Sequence, residues 1–117
     1  MTMEVKSADY RVACEDGSTE VSLSGTLRLN GADEYQPIQQ LLDDVINRSA
    51  GGQCRWDLRE LQFLNSSGIN MLYQLVIKAR RLGNVRMQVI GSKDVAWQGK
   101  SLGNMTRFMP GLELVLE

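Results

Sequence analysis

Two adjacent serines, Ser66 and Ser67, stand where a strand-like run gives way to an amphipathic helix, in the phrase Asp57-Leu58-Arg59-Glu60-Leu61-Gln62-Phe63-Leu64-Asn65-Ser66-Ser67-Gly68-Ile69. Hydroxyls at such a junction have two uses. As caps, Asn65, Ser66 or Ser67 can accept hydrogen bonds from the first N–H groups of the helix, which have no intrahelical partners. As acceptors, the serines can carry a phosphate, whose charge is favoured at the positive end of a helix. Gly68 reads as the residue that permits close backbone approach at the turn. Met71, one turn further on, is a flexible apolar side chain that either joins the core or forms part of a partner-binding surface.

Other chemistry is thinly supplied. The chain has no histidine, which removes Ser-His-Asp and Cys-His catalysis, His-based metal sites and the usual near-neutral proton shuttle. Cys14 and Cys54 form no CxxC motif and read as buried thiols rather than as a disulfide or metal site. Gly99-Lys100-Ser101 is a fragment of a phosphate loop, but the glycine required five positions before the second glycine is Asp94. No cofactor and no metal are expected.

The elements that must position the serines follow from hydrophobic periodicity. Tyr10-Arg11-Val12-Ala13-Cys14 and the alternating run from Glu20 to Leu27 read as a hairpin, with Gly25 marking a bend or close backbone approach. After Asn30-Gly31, a helix is predicted to start near Asp33 with Pro37 in its first turn, burying Ile38, Leu41, Leu42, Val45 and Ile46. Strands at Cys54-Arg55-Trp56-Asp57-Leu58 and Arg86-Met87-Gln88-Val89-Ile90 flank a helix whose stripe is Ile69, Leu72, Tyr73, Val76 and Ala79, broadened by Met71, Leu75 and Leu82. A strand–helix–strand crossover favours parallel pairing. Trp97, Leu102, Met105 and Phe108 read as the buried side of a C-terminal helical region, followed by a last strand at Leu112-Glu113-Leu114-Val115-Leu116.

The chain of 117 residues, 43% hydrophobic and 23% charged, is sized for a single α/β domain spanning 1–117, with a mixed sheet and helices mainly on one face. Residues 1–65 carry 6 basic and 11 acidic side chains, and residues 66–117 carry 7 and 3. The asymmetry either attracts an oppositely charged partner or disappears when the charges intermix on the folded surface. Direct nucleic-acid binding is not expected of a mildly acidic chain whose basic residues are not interleaved with aromatics. The absence of a long apolar run and of a signal-peptide core near Met1-Thr2-Met3-Glu4-Val5-Lys6 points to a cytoplasmic protein without membrane insertion.

The phrase D-L-x-x-L-x-F-L-N-S-S-G-I followed by an amphipathic helix, from about Asp57 to Gly83, resembles the STAS domain family of bacterial anti-sigma factor antagonists. The resemblance implies a small α/β phosphoprotein of signal transduction and transcription regulation that works by partner switching. It binds an anti-sigma factor or related serine kinase when unphosphorylated, and is released on phosphorylation until a serine phosphatase acts. Carried onto this chain, the phosphoacceptor is Ser66, with Ser67 as second choice. The partner-binding residues are Asn65, Ser66, Ser67, Gly68 and Met71, and Asn65 stands where the family carries an aspartate. Two alternatives are a non-switching STAS-like subunit that docks on a transporter or other complex, and a small-molecule or nucleotide-binding module. The chain itself is not expected to be an enzyme. The purified protein should therefore turn over neither ATP nor GTP in a phosphate-release assay; enzyme-grade hydrolysis lost on Lys100→Ala would refute this and restore the phosphate-loop reading.

Overall fold

The computed structural model describes residues 3–117; of the N-terminal stretch read above, Met1 and Thr2 lie outside the described residues. Among these residues the elements run β1 (Met3–Lys6), β2 (Tyr10–Cys14), β3 (Glu20–Leu27), α1 (Gly31–Arg48), β4 (Gln53–Leu64), α2 (Ser66–Leu82), β5 (Arg86–Gly91), α3 (Gln98–Gly103), α4 (Met105–Phe108) and β6 (Glu113–Leu116). The strands form one mixed sheet in chain order, antiparallel from β1 to β3 and parallel from β3 to β6. Short turns return the first strands antiparallel, whereas helical crossovers bring each later strand back in the same direction.

Register explains how the sheet acquires two different faces. Pairing sets Met3 beside Cys14, Cys14 beside Val21, Val21 beside Trp56, Trp56 beside Val89 and Val89 beside Leu114. This apolar row crosses the whole sheet and belongs to the core that α1 and α2 cover with Ile38, Leu42, Val45, Leu72, Leu75 and Val76. One residue earlier, the row Glu20, Arg55, Gln88 and Glu113 points the other way. There Arg55 pairs with Glu20 at 3.8 Å and bonds Gln88, which in turn bonds Glu113. The period of two thus separates a covered apolar face from an open polar one. The two halves of the sequence also exchange charges, Arg59 pairing with Glu117 at 3.0 Å and Lys78 with Asp43, so part of the asymmetry intermixes.

Several boundaries differ from the sequence reading. Asn30 takes extended backbone and its N–H is held by Glu34 Oε1 at 3.0 Å, so α1 begins at Gly31 rather than near Asp33. Pro37 consequently lies in the second turn, not the first. It has no N–H to offer the Asp33 carbonyl, but both residues are exposed, where water takes that place. Leu82 closes α2 at 44% exposure instead of extending its buried stripe, because the chain turns away at Gly83, which adopts a left-handed φ of 78°. The C-terminal helical region is two short helices, with Leu102 and Met105 buried and Trp97 and Phe108 packed against the core's edge. Gly25 fulfils its expectation: its φ is 89° and a Cβ there would overlap the Asp9 carbonyl oxygen. Cys14 and Cys54 are free and buried, and burial pushes the Cys54 thiol up to about 11.

The longest strand creates one further requirement. β4 runs to Leu64, but its pairing with β5 ends at Asp57, leaving the carbonyls of Leu58 and Leu61 without a neighbouring strand on that side. Gln98, fully buried, donates through Nε2 to Leu58 O at 2.6 Å and to Leu61 O at 3.0 Å, while its Oε1 accepts from Ser92 N–H at 2.7 Å. Trp97 Nε1 adds a bond to Leu61 O at 3.1 Å. One carboxamide therefore does the work of a missing strand. Gln98→Ala should lower unfolding free energy by about 2–4 kcal/mol in urea titrations, since it opens a void and strips buried polar groups of partners, whereas Leu82→Ala should change it by about 0.5 kcal/mol or less.

Candidate functional site

The turn between β4 and α2 is fixed almost entirely through Asn65. Its backbone N–H donates to Leu27 O at 3.2 Å, which ties it to the end of β3. Its side chain then caps α2: Oδ1 accepts from Gly68 N–H at 3.1 Å, and the Asn65 carbonyl accepts the first helical bond from Ile69 N–H at 2.9 Å. The same Oδ1 accepts the Tyr35 hydroxyl from α1 at 2.6 Å, and Nδ2 donates to Leu29 O at 2.8 Å. Of the capping candidates, Asn65 is thus the cap, and it also joins the β3–α1 connection to the start of α2.

Tyr35 is the residue that sequence reading missed. It is buried, and burial pushes its phenol above the usual range, so it acts as a neutral donor. The Leu27 carbonyl lies 3.2 Å from its oxygen, but the single proton has its shorter contact at Asn65. The signal was available: Tyr35 stands three residues before Ile38 and extends the apolar stripe of α1 by one turn. Gly68 is buried against this pair. A Cβ there would overlap the Leu64 side chain and the Tyr35 hydroxyl, so its small size serves side-chain packing beneath the turn rather than backbone approach within it.

Against this fixed background, Ser66 is exposed and its hydroxyl makes no hydrogen bond to the described residues. Ser67 is half-buried and faces the other way, onto a groove of about 280 Å³ between α1 and α2 that is also lined by Tyr35, Gln39, Asn70, Met71 and Gln74. None of the groove's lining residues is charged. Met71 is only 7% exposed and forms part of the groove wall while belonging to the core. The structure therefore brings Asn65, Ser67, Gly68 and Met71 together around the inner side of the turn and leaves Ser66 on its outer side.

The chain has no histidine, and no side chain among the described residues hydrogen-bonds the hydroxyl of either serine. Gly99-Lys100-Ser101 lies elsewhere, inside α3, where Ser101 O accepts the Tyr73 hydroxyl at 2.8 Å; it does not form a loop from strand to helix. Among the described residues, no helix is long and apolar enough to cross a membrane.

No protein-family model matches the sequence, and no curated protein matches it. Solved structures that share the fold over the full length include two of one protein. SiaC of Pseudomonas aeruginosa superposes with a TM-score of 0.70 at 13% identity, covering 100% of this chain and 98% of that one. Apo-SiaC from the same organism gives a TM-score of 0.69 at 11% identity, with the same coverage. At such identities the likeness is one of fold: a single α/β domain with a six-stranded mixed sheet and helices.

The Asn65 carboxamide both accepts and donates, and an acid can do both only when protonated. Asn65→Asp should therefore cost about 1–2 kcal/mol at pH 7, because its carboxylate faces the Leu29 carbonyl without a proton to share. The folded state binds that proton more tightly than the unfolded chain, so the penalty is present at neutral pH and shrinks as pH falls through the carboxyl range. Urea unfolding of both proteins at pH 7 and near pH 4 measures this; a penalty that is absent, or that grows on acidification, would contradict it.

Proposed function

We propose that the chain is a STAS-like, phosphorylatable binding switch. Unmodified, it engages a protein partner, an anti-sigma factor or related serine kinase; phosphorylation of Ser66 releases it, and a serine phosphatase resets it. The observation that carries this reading is the contrast across one peptide bond. Asn65 is fixed by bonds to Leu27, Leu29, Tyr35 and Gly68, while Ser66 presents an exposed and unbonded hydroxyl. A rigid backbone carrying a free hydroxyl suits a group that another protein must reach.

In the transfer, Ser66 Oγ bonds to the γ-phosphorus of ATP held by the partner kinase, its proton passes to a base of that kinase, and the bond from the γ-phosphorus to its bridging oxygen breaks to release ADP. The chain supplies the acceptor only and is not itself an enzyme. Release follows from charge. A phosphate on Ser66 adds about −1.5 to −2 charges at the exposed start of α2, which disfavours any partner surface that is desolvated there.

A second reading is favoured by one observation: Asn65 is committed to structural bonds where the STAS motif carries an acid. On that reading the chain is a non-switching subunit docking on a transporter or other complex, and Ser66 and Ser67 merely open a helix.

Fragmentation mass spectrometry after incubation with the native kinase separates the two. Phosphate at Ser66, with Ser66→Ala folded and still binding the partner and Ser66→Glu binding at least several-fold more weakly, supports the switch. No modification by a kinase shown to be active, or modification solely at Ser67, rejects Ser66 as the acceptor.

A further inference from the structure

The geometry points to Arg28 as the residue that receives the phosphate on Ser66. This inference rests on the switch proposed above and names its intramolecular partner. Arg28 lies just beyond β3, between Leu27 and Leu29, and both neighbours' carbonyls accept hydrogen bonds from Asn65, at 3.2 Å from its backbone N–H and at 2.8 Å from Nδ2. The Arg28 backbone is thereby pinned beside the residue that precedes Ser66, across a gap of about 4.8 Å between neighbouring strands.

The side chain is available. On the three strands nearest Arg28, the cations Arg11, Arg55 and Arg59 all form ion pairs. Arg28 is exposed and forms none among the described residues. Its guanidinium instead lies over the Phe63 ring, 4.6 Å from the centroid, and Phe63 is itself 37% exposed three residues before Ser66. Stacking occupies the face of the guanidinium and leaves the N–H groups along its edge free. Those donors match the oxygens of a phosphate, which a guanidinium binds through two parallel bonds. Phe63 holds the resting cation, and on phosphorylation the long Arg28 side chain, rooted beside Asn65, leaves the ring for the phosphate on Ser66.

The pairing alters what the switch presents. In the unmodified protein, Arg28 offers a positive charge beside a free hydroxyl. Once Ser66 is phosphorylated, that cation is withdrawn into an internal pair while the residual charge of the phosphate remains outside, so the local surface changes sign.

The test installs phosphoserine at position 66 by genetic encoding, without a kinase, and follows its titration by ³¹P NMR in the full-length protein. In the wild-type background the second phosphate ionisation should fall about half a unit below that in Arg28→Gln, and the difference should narrow at high salt. Arg28→Lys, which keeps the charge but not the fork, should lie between them. Identical titrations in the wild type and Arg28→Gln, with both proteins folded by circular dichroism, would overturn the assignment. Because the phosphate is placed synthetically, this result stands apart from the kinase mapping: a chain that no native kinase modifies fails as a switch whatever the titration shows.

Discussion

The carboxamide of Asn65 connects three elements that have no covalent reason to meet. Leu29 follows β3, Tyr35 belongs to α1 and Gly68 to α2, and all three bond to one short side chain. Few residues could replace it. Aspartate lacks the donor at neutral pH, serine lacks the reach and a second heteroatom, and glutamine would place the same groups one methylene further out. The asparagine is therefore accounted for by the fold alone. Partly buried, hydrogen-bonded groups of this kind strengthen one another and are expensive to disrupt singly, so the start of α2 inherits the rigidity of the sheet beneath it.

That rigidity explains why the groove is where it is. α1 and α2 are held together at this end by Tyr35 and Asn65, with Gly68 letting Leu64 and the Tyr35 hydroxyl approach closely. Further along, the same two helices are joined by Lys78 and Asp43. Between these ties Gln39, Asn70 and Gln74 line the groove together with Met71. An uncharged polar rim over an apolar wall suits a protein contact that can be made and broken, since no buried charge is stranded when the partner leaves.

Much of the scaffold was legible in the sequence because it obeys short periods. Val21, Leu23 and Leu27 alternate with polar residues, and Ile38, Leu41, Leu42, Val45 and Ile46 recur at helical spacing; all are buried as those patterns require. The hairpin, the β4–α2–β5 crossover and the paired serines at a helix start follow from the same reading. β1 was not foreseen, since Met3-Glu4-Val5-Lys6 is too short for alternation to stand out, and its strand state depends on pairing with β2. The burial of Tyr35 was readable from the α1 stripe, but its bond to Asn65 and those of Gln98 escaped for a different reason. Their partners lie 37 and 40 residues away for Gln98 and 30 away for the Tyr35–Asn65 bond, and no local pattern encodes a side chain that completes a distant strand or cap.

The placement of Ser66 constrains how a switch built on it would operate. Its hydroxyl makes no bond to the described residues, so adding a phosphate breaks nothing that holds the turn, and the cap at Asn65 survives intact. A change of fold would require the new charge to outweigh the bonds around Asn65, and nothing at the exposed position opposes its solvation. The effect is then electrostatic and local, fading over about 8 Å at physiological ionic strength. A partner that senses it must touch the end of the molecule where α1 and α2 begin, near the groove and Arg28. The row of Glu20, Arg55, Gln88 and Glu113 lies level with the start of β4, at the other end of that strand from Ser66, and is poorly placed to respond.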